Sequence, residues 1–377
     1  MSTAGIIFSN LHDMSIAELT RKRTMASVPF GCRYRLIDFA LSNMVNSGIS
    51  DINVITHNNY RSLMDHLGSG KDWDLARRSG GLKVLPPFIT AYSTKDATAL
   101  YATRLEALKG IQGVIAGITA DTVVLSDCDA ICNVDLRKMV EFHNENGADI
   151  TCAVKNLTLT PEKSESYNVI TSDEAGNIID VESHKKENSG NYDVAINIWV
   201  MKTTFLQSVL LDASAHGYDH FLHDVVARAI GKNTLKVYRY DGFYANVTSM
   251  ADYYAINMSL LDPANREALF KIKERPIYTK VRNSAPTKYI GEGSAKNSLI
   301  ADGCVIEGTV ENSILFRGVR VGKNAVVKNA ILFQDTQILS GAFVNCIIAD
   351  KNVVIRNDVM LSGHPTMPLY IEKSKMI

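Results

Sequence analysis

The chain predicts an α/β domain with a mostly parallel sheet, followed by a parallel β-helix of hexapeptide coils. Two changes of period carry that prediction. Through the first 260 residues, short apolar β-branched runs alternate with amphipathic stretches; from about Leu299, apolar residues return every six positions. The first pattern is that of strands buried on both faces and connected by helices. The second is neither helical nor a hairpin pattern, and belongs to stacked β-helix coils.

Taken in order, Ala4–Phe8, Ile52–Thr56, Thr122–Ser126 and Asp149–Val154 read as buried strands. Tyr167–Ile170, Asn177–Val181 and Val194–Met201 extend the sheet, while Leu36–Ser47 and Thr98–Leu108 space apolar residues three and four apart, as helices do. Asp262–Asn297 carries Pro263, Pro276, Pro286 and Gly291–Gly293, and reads as a linker. The six-residue spacing links Ile300 to Ile306, runs through Val321, Val327, Phe333 and Leu339, and returns at Ile348, Val354 and Met360. Turns such as Arg320–Asn324 and Ala349–Asn352 separate the apolar pairs, and the recurring residue is expected to point into a stacked core. The expected division is therefore residues 1–261, a linker at 262–297, and a β-helix at 298–377.

Composition narrows the function classes. The 40 basic and 40 acidic side chains cancel, so no overall field draws the chain to nucleic acid or anionic lipid. Six scattered cysteines offer one close pair, Cys128 and Cys132, without a second pair or histidine cluster to complete a zinc site. The first ten residues lack the basic and apolar regions of a secretory signal, and no run reaches the ~20 apolar residues of a membrane span. A cytoplasmic setting with free thiols is the expectation.

Four motifs then point to a family. Val28–Ile49 (VPFGCRYRLIDFALSNMVNSGI), Gly70–Leu75 (GKDWDL), Val84–Phe88 (VLPPF) and Tyr254–Pro263 (YAINMSLLDP) resemble the signatures of ADP-glucose pyrophosphorylases, the glucose-1-phosphate adenylyltransferases. With the hexapeptides, the resemblance covers almost the whole chain. It implies a Rossmann-like nucleotidyltransferase (GT-A-like) domain joined to a left-handed β-helix, in a tetramer.

The departures from that family are concentrated at its reaction centre. Catalytic members follow the first strand with a loop of the form GGxGTRLxPLT and then RAKP. Glycines there let backbone N–H groups approach the triphosphate, and the arginine and lysine neutralise charge in the transition state. Here the loop is Ser9–Thr20, SNLHDMSIAELT, without glycine or arginine, and Asp13 brings a charge of the wrong sign. If partly buried, that carboxylate repels a phosphate by on the order of a few kcal/mol. The RAKP counterpart is Arg23–Ala26, RTMA, so Met25 stands at the position of the catalytic lysine. Of the two aspartates that the family uses to hold magnesium, Asp129 matches the first, with Asp135 matching a later aspartate, and Asn246 replaces the second. An asparagine offers one neutral oxygen to a hard ion. The lysine that contacts the sugar phosphate corresponds to His184 or Lys185, and a family GTA segment becomes Lys95–Ala97.

The resemblance thus implies the GlgD-type branch: a chain without its own catalytic residues, cofactor or metal, with magnesium working only in a catalytic GlgC-type partner subunit. The expectation is a homo- or hetero-oligomer, a tetramer, in bacterial glycogen biosynthesis. Lys22, Arg23 and Arg35 match the family's effector-anion positions between the two domains, so a small phosphorylated effector is the expected ligand. A solvated basic turn is the plainer reading of the same residues, and strand-end or helix-capping carboxylates the plainer reading of Asp127, Asp129 and Asp135. Arg317 and Arg320 either complete the anion site or lie on the outer face of the β-helix. Two other activities remain in view: a divergent active adenylyltransferase, and a hexapeptide acyltransferase. The last lacks its usual histidine, since none lies between Leu299 and Ser362.

Overall fold

The computed structural model describes residues 2–87, 101–164, 167–183 and 187–377. Phe88, Lys95–Ala97, His184 and Lys185, named above, lie outside the described residues.

Four strands make the parallel centre of a nine-stranded sheet: β1 (Thr3–Phe8), β2 (Asp51–Ile55), β3 (Gly81–Leu85) and β4 (Thr122–Asp127). Their spatial order is β3-β2-β1-β4, all parallel. Ile6, Ile7, Ile52, Val54, Val123 and Val124 are fully buried, as strands covered on both faces require. The chain reverses between β1 and β4, and at such a switch point the loops beyond the carboxyl ends of the strands part to form a crevice. A short antiparallel ribbon follows, β5 (Ala130–Cys132) with β11 (Tyr244–Asn246), which sets Asn246 opposite Ala130. Strand β9 (Gly190–Lys202) runs antiparallel beside β4 and bulges between Ala195 and Trp199, where Asn197 adopts φ 58°. The stretch expected to be helical from Thr98 has its described helix at Arg104–Gly110. It starts there because Thr103 caps it: the Thr103 hydroxyl accepts from the Glu106 N–H, and the Glu106 carboxylate accepts from the Thr103 N–H.

The expected linker is partly structured. Pro263–Phe270 is a helix with Asp262 as its cap and proline at its first turn, where a missing N–H costs nothing. The β-helix starts earlier than 298, because Lys288–Tyr289 and Ser294–Lys296 already pair with the next coil. Three five-stranded parallel sheets form the faces of the left-handed β-helix.

Its coil length corrects the six-residue reading. Thr309, Val326, Phe343 and Met360 stack in register seventeen residues apart, one short of three hexapeptides. The inward residues Val310, Leu315, Val321, Val327, Leu332, Ile338 and Val344 therefore step by five once per coil. A strict count of six walks off that position. Val321 and Val327 point inward, but Phe333 and Ile348 face the α/β domain and Met360 is 75% exposed. Phe316, Phe333 and Ile348 join Ile16, Met25, Phe30, Phe39 and Tyr253 in one apolar cluster between the domains. The Phe316 and Phe333 rings meet edge to face at 5.2 Å. Each such buried ring stabilises the junction by roughly 1.5–3 kcal/mol.

Candidate functional site

The loop after β1 is knit to itself where its family counterpart opens toward phosphate. Asp13 Oδ1 accepts from the Met25 N–H at 2.7 Å, and Oδ2 accepts from Asn10 Nδ2 at 2.6 Å. Asn10 Oδ1 in turn accepts from Ser9, Thr56 and the His57 N–H. Burial pushes the Asp13 carboxyl up to about 6, against those two hydrogen bonds. The Met25 N–H is thus taken up internally by the loop. Met25 is 1% exposed and packs in the interdomain apolar cluster, so the position where the resemblance implies a lysine is core here.

Next to this loop four side chains pair their charges. His12 Nε2 lies 2.8 Å from Asp127 Oδ2 and 3.5 Å from Asp129 Oδ2. Arg104 holds both Asp127 oxygens, at 2.5 Å through Nη2 and 3.3 Å through Nε. The guanidinium also sits over the Phe8 and Phe221 rings and donates to Asn197 Oδ1. Asn197 completes the ring by donating to Asp129 Oδ2 at 3.2 Å. The strained β9 bulge is what aims Asn197 here; an asparagine tolerates its left-handed backbone better than most residues do.

Each titration follows from its surroundings. Burial works against the His12 imidazolium, but the Asp129 and Asp127 carboxylates outweigh it and raise the group to about 9. Burial alone lifts an acid; at Asp127, Arg104 and His12 overcome it and hold the carboxyl below its ordinary range. At Asp129, His12 at 3.5 Å does not overcome burial and the neighbouring Asp127, which push the carboxyl up. Two carboxylates and two cations sum to zero, which leaves no positive field for a triphosphate.

The family's magnesium does not fit these residues. Magnesium wants near-octahedral oxygen donors and keeps several waters. The fold does bring Asp129 and Asn246 together, since the Val247 N–H donates to the Asp129 carbonyl at 3.1 Å. Asn246 supplies one neutral oxygen, however, Asp127 is held by Arg104, and an imidazole nitrogen faces both aspartates. Asp135 takes no part: it caps the helix Leu136–Glu145 by accepting from the Arg137 and Lys138 N–H groups.

The three expected anion-binding residues separate. Arg23 is 3% exposed and donates through Nη2 to both oxygens of Asp350, in the β-helix, at 2.8 and 2.7 Å. Tyr370 donates to the same carboxylate. Lys22 pairs with Glu372 at 2.8 Å. Both cations therefore bind the domains to each other rather than face a cavity. Arg35 does line one, a cavity of about 300 Å³ between the domains. Arg33, Lys280, Arg282, Arg317 and Lys351 line it as well, so six cations face one lining carboxylate, Asp335. Asp302 holds Arg317 at 3.1 Å, while Asp65 lies 4.0 and 3.8 Å from Lys280 and Arg282. Burial, reinforced by Arg35 and Arg23, lowers the Lys351 ammonium to about 7. Burial likewise lowers Arg35 to about 10. Arg317 is thus at the cavity, and Arg320 is not among its lining residues.

Sequence reasoning passed over His12 and Arg104. His12 was legible only as an imidazole in the loop after the first strand. Arg104 had no signal, because its partners come from β4 and the β9 bulge. Lys280, Arg282 and Lys351 were equally silent, lying some seventy residues apart.

Comparison with known proteins follows the same division. Residues 16–262 match the nucleotidyl transferase family, and residues 285–365 match the GlmU-like C-terminal hexapeptide. The chain is 33% identical to the glycogen biosynthesis protein GlgD of Bacillus subtilis (strain 168), over 98% of this chain and 95% of that protein. It is 34% identical to GlgD of Geobacillus stearothermophilus, over 86% of this chain and 82% of that protein. It is 33% identical to the glucose-1-phosphate adenylyltransferase of Geobacillus stearothermophilus, over 83% of this chain and 80% of that protein.

Proposed function

Because the chain belongs to the nucleotidyl transferase family, in the group of GlgD proteins and glucose-1-phosphate adenylyltransferases, we propose that it is a non-catalytic partner subunit in bacterial glycogen biosynthesis. It pairs with a GlgC-type catalytic subunit in a heterotetramer and modulates that subunit's formation of ADP-glucose from ATP and glucose 1-phosphate. One observation carries this reading: the cleft that would hold ATP has its charges paired internally, with Met25 packed in core. In-line transfer at a phosphorus needs cations to absorb developing charge, and here the available cations already serve Asp127 and Asp129.

Regulation then passes through the interdomain cavity. Its six cations suit a small phosphorylated effector, and its walls come from both domains. A ligand that contacts both walls changes the balance between their arrangements only through different contacts in each. No magnesium or other cofactor works in this chain's own cleft.

The test is an activity assay of the purified chain alone, of a catalytic subunit alone, and of the two together. The expected result is negligible magnesium-dependent turnover by the chain alone and altered turnover in the mixture. Substantial turnover by the chain alone, with micromolar metal-dependent ATP binding, establishes the divergent adenylyltransferase instead. No effect on the catalytic subunit removes the partner role.

A further inference from the structure

We propose that Asp350 is a tethered anion that occupies Arg23 in place of a ligand, an autoinhibitory contact that limits how tightly the interdomain cavity holds its anion. The inference rests on the reading of that cavity as an anion site.

The contact is built like a bound ligand. Asp350 Oδ1 accepts from Arg23 Nη2 at 2.8 Å and from the Lys351 N–H at 2.7 Å. Its Oδ2 accepts from Arg23 Nη2 at 2.7 Å and from the Tyr370 hydroxyl at 3.1 Å. Each oxygen thus has two donors, as a carboxylate taken out of water requires. Both side chains of the pair are 3% exposed. The coil fixes the carboxylate where it stands: the Asp350 N–H donates to the Ile371 carbonyl at 2.9 Å, and the Asp350 carbonyl accepts from the Thr336 hydroxyl at 3.0 Å. A group held in this way competes at an effective concentration far above that of a dilute free ion.

Arg23 is not fully used by the pairing. Its Nη1 is buried without a hydrogen-bond partner, and a buried donor left unmet costs free energy. The guanidinium also lies within electrostatic reach of the cavity. Burial lowers Arg35 and Lys351, both of which line that cavity, and Arg23 contributes to the shift of each.

Asp350 and Lys351 are consecutive, so a single turn gives its carboxylate to Arg23 and its ammonium to the cavity. An anion drawn to Lys351 and Arg35 finds Arg23 already paired. It either binds with the lining cations alone or displaces Asp350 to gain the donors of Arg23. In both cases Asp350 subtracts from its affinity. Because the same pair ties the domains together, linkage makes the effects reciprocal. Breaking the pair tightens the anion, and the anion restores part of the stability so lost.

The experiment titrates sodium sulfate calorimetrically into the full chain in a buffer free of other multivalent anions, and follows thermal unfolding with and without sulfate. Wild type is compared with Asp350→Asn and with the double variant Arg23→Met/Asp350→Leu. Asp350→Asn should bind sulfate about 10-fold more tightly or better, the worth of one charge-assisted hydrogen bond. Its Tm should rise more with sulfate than that of the wild type. The double variant, apolar at both positions and so without a lone buried charge, should bind sulfate as the wild type does. Unchanged or weaker binding by Asp350→Asn overturns the inference. Tightened binding that persists in the double variant also overturns it, by assigning the gain to the lost carboxylate rather than to Arg23. A double variant weakened more than about 5-fold shows that Arg23 serves the anion while paired, and this arm decides the matter if Asp350→Asn does not fold. Sulfate binding by none of the proteins removes the cavity reading and this inference with it, whereas binding by the wild type without the gain removes this inference alone.

Discussion

The cleft beyond β1 and β4 and the cavity between the domains are built from the same residue types, yet they dispose of charge in opposite ways. In the cleft, two cations meet two carboxylates within one ring of contacts, and Asp13 is held by hydrogen bonds from its own loop. In the cavity, six cations line a space with one lining carboxylate, and Lys351 is pushed down to about 7 by burial and by the arginines near it. A basic cluster suits an anion when the fold leaves its charge only partly compensated, as in the cavity, where Asp302 and Asp65 reach three of the six cations from outside the lining. Arg23 shows the point within a single side chain, being a cation that the family reserves for an anion but that Asp350 takes up here.

The largest effect should come from that buried pair. Asp350→Ala leaves Arg23 charged in the interdomain core and should cost about 3–5 kcal/mol, read as a lower urea midpoint. A loss under 1 kcal/mol would mean that Arg23 relaxes into the cavity and remains an anion ligand after all. Arg104→Ala should cost about 2–3 kcal/mol, because Asp127 loses its charge-assisted hydrogen bonds while fully buried. A neutral outcome would show that His12 alone satisfies the cleft.

The cavity is tested by binding. Lys351→Met should weaken sulfate about 10-fold, or about 1.4 kcal/mol, with stability unchanged or slightly raised. Sulfate keeps its charge, so the pH dependence reports the protein. The Lys351 ammonium is lowered from its ordinary 10.5 to about 7, and its charge is complete only below that pH. Sulfate binding should therefore tighten as pH falls through about 7, and lose that dependence in Lys351→Met.

A comparable, pH-dependent effect belongs to His12. Its pKa is raised from 6.5 to about 9, so the stability it contributes is fully present below 6.5 and is lost as pH rises through about 9. With a third of the side chain exposed, solvent screening holds this to at most about 1–2 kcal/mol. Thermal unfolding between pH 7 and 10 should show the decline in the wild type and not in His12→Gln.

Much of the fold was legible because it rests on local periodicity. The strands Ala4–Phe8 and Thr122–Ser126 needed only consecutive apolar residues, and the structure extends them by a residue or so. The β-helix was legible as a class. Its coil length was not, because seventeen residues per coil shows only when the strands are stacked. The linker was misjudged at both ends: proline marks a helix start as readily as a loop, and a first coil beside an open end carries little apolar signal. Of the cleft, Met25 and Asn246 were visible as departures at family positions, and Asp129 as a match. His12 and Arg104 were not, since charges that pair with Asp127 from 115 and 23 residues away have no periodicity.

By itself, the sequence determined which strands and coils form, and which residue types the family's reaction centre no longer carries. Both follow from properties of neighbouring residues: apolar spacing, turn chemistry, and the presence or absence of a charge. Only the tertiary structure decided which charges meet. It placed Asp350 against Arg23, His12 and Arg104 against the aspartates, and Lys351 beside Arg35 and Arg317. Electrostatic energy depends on distance and burial rather than on order along the chain, so one cluster became a closed ion ring and the other an open cationic cavity.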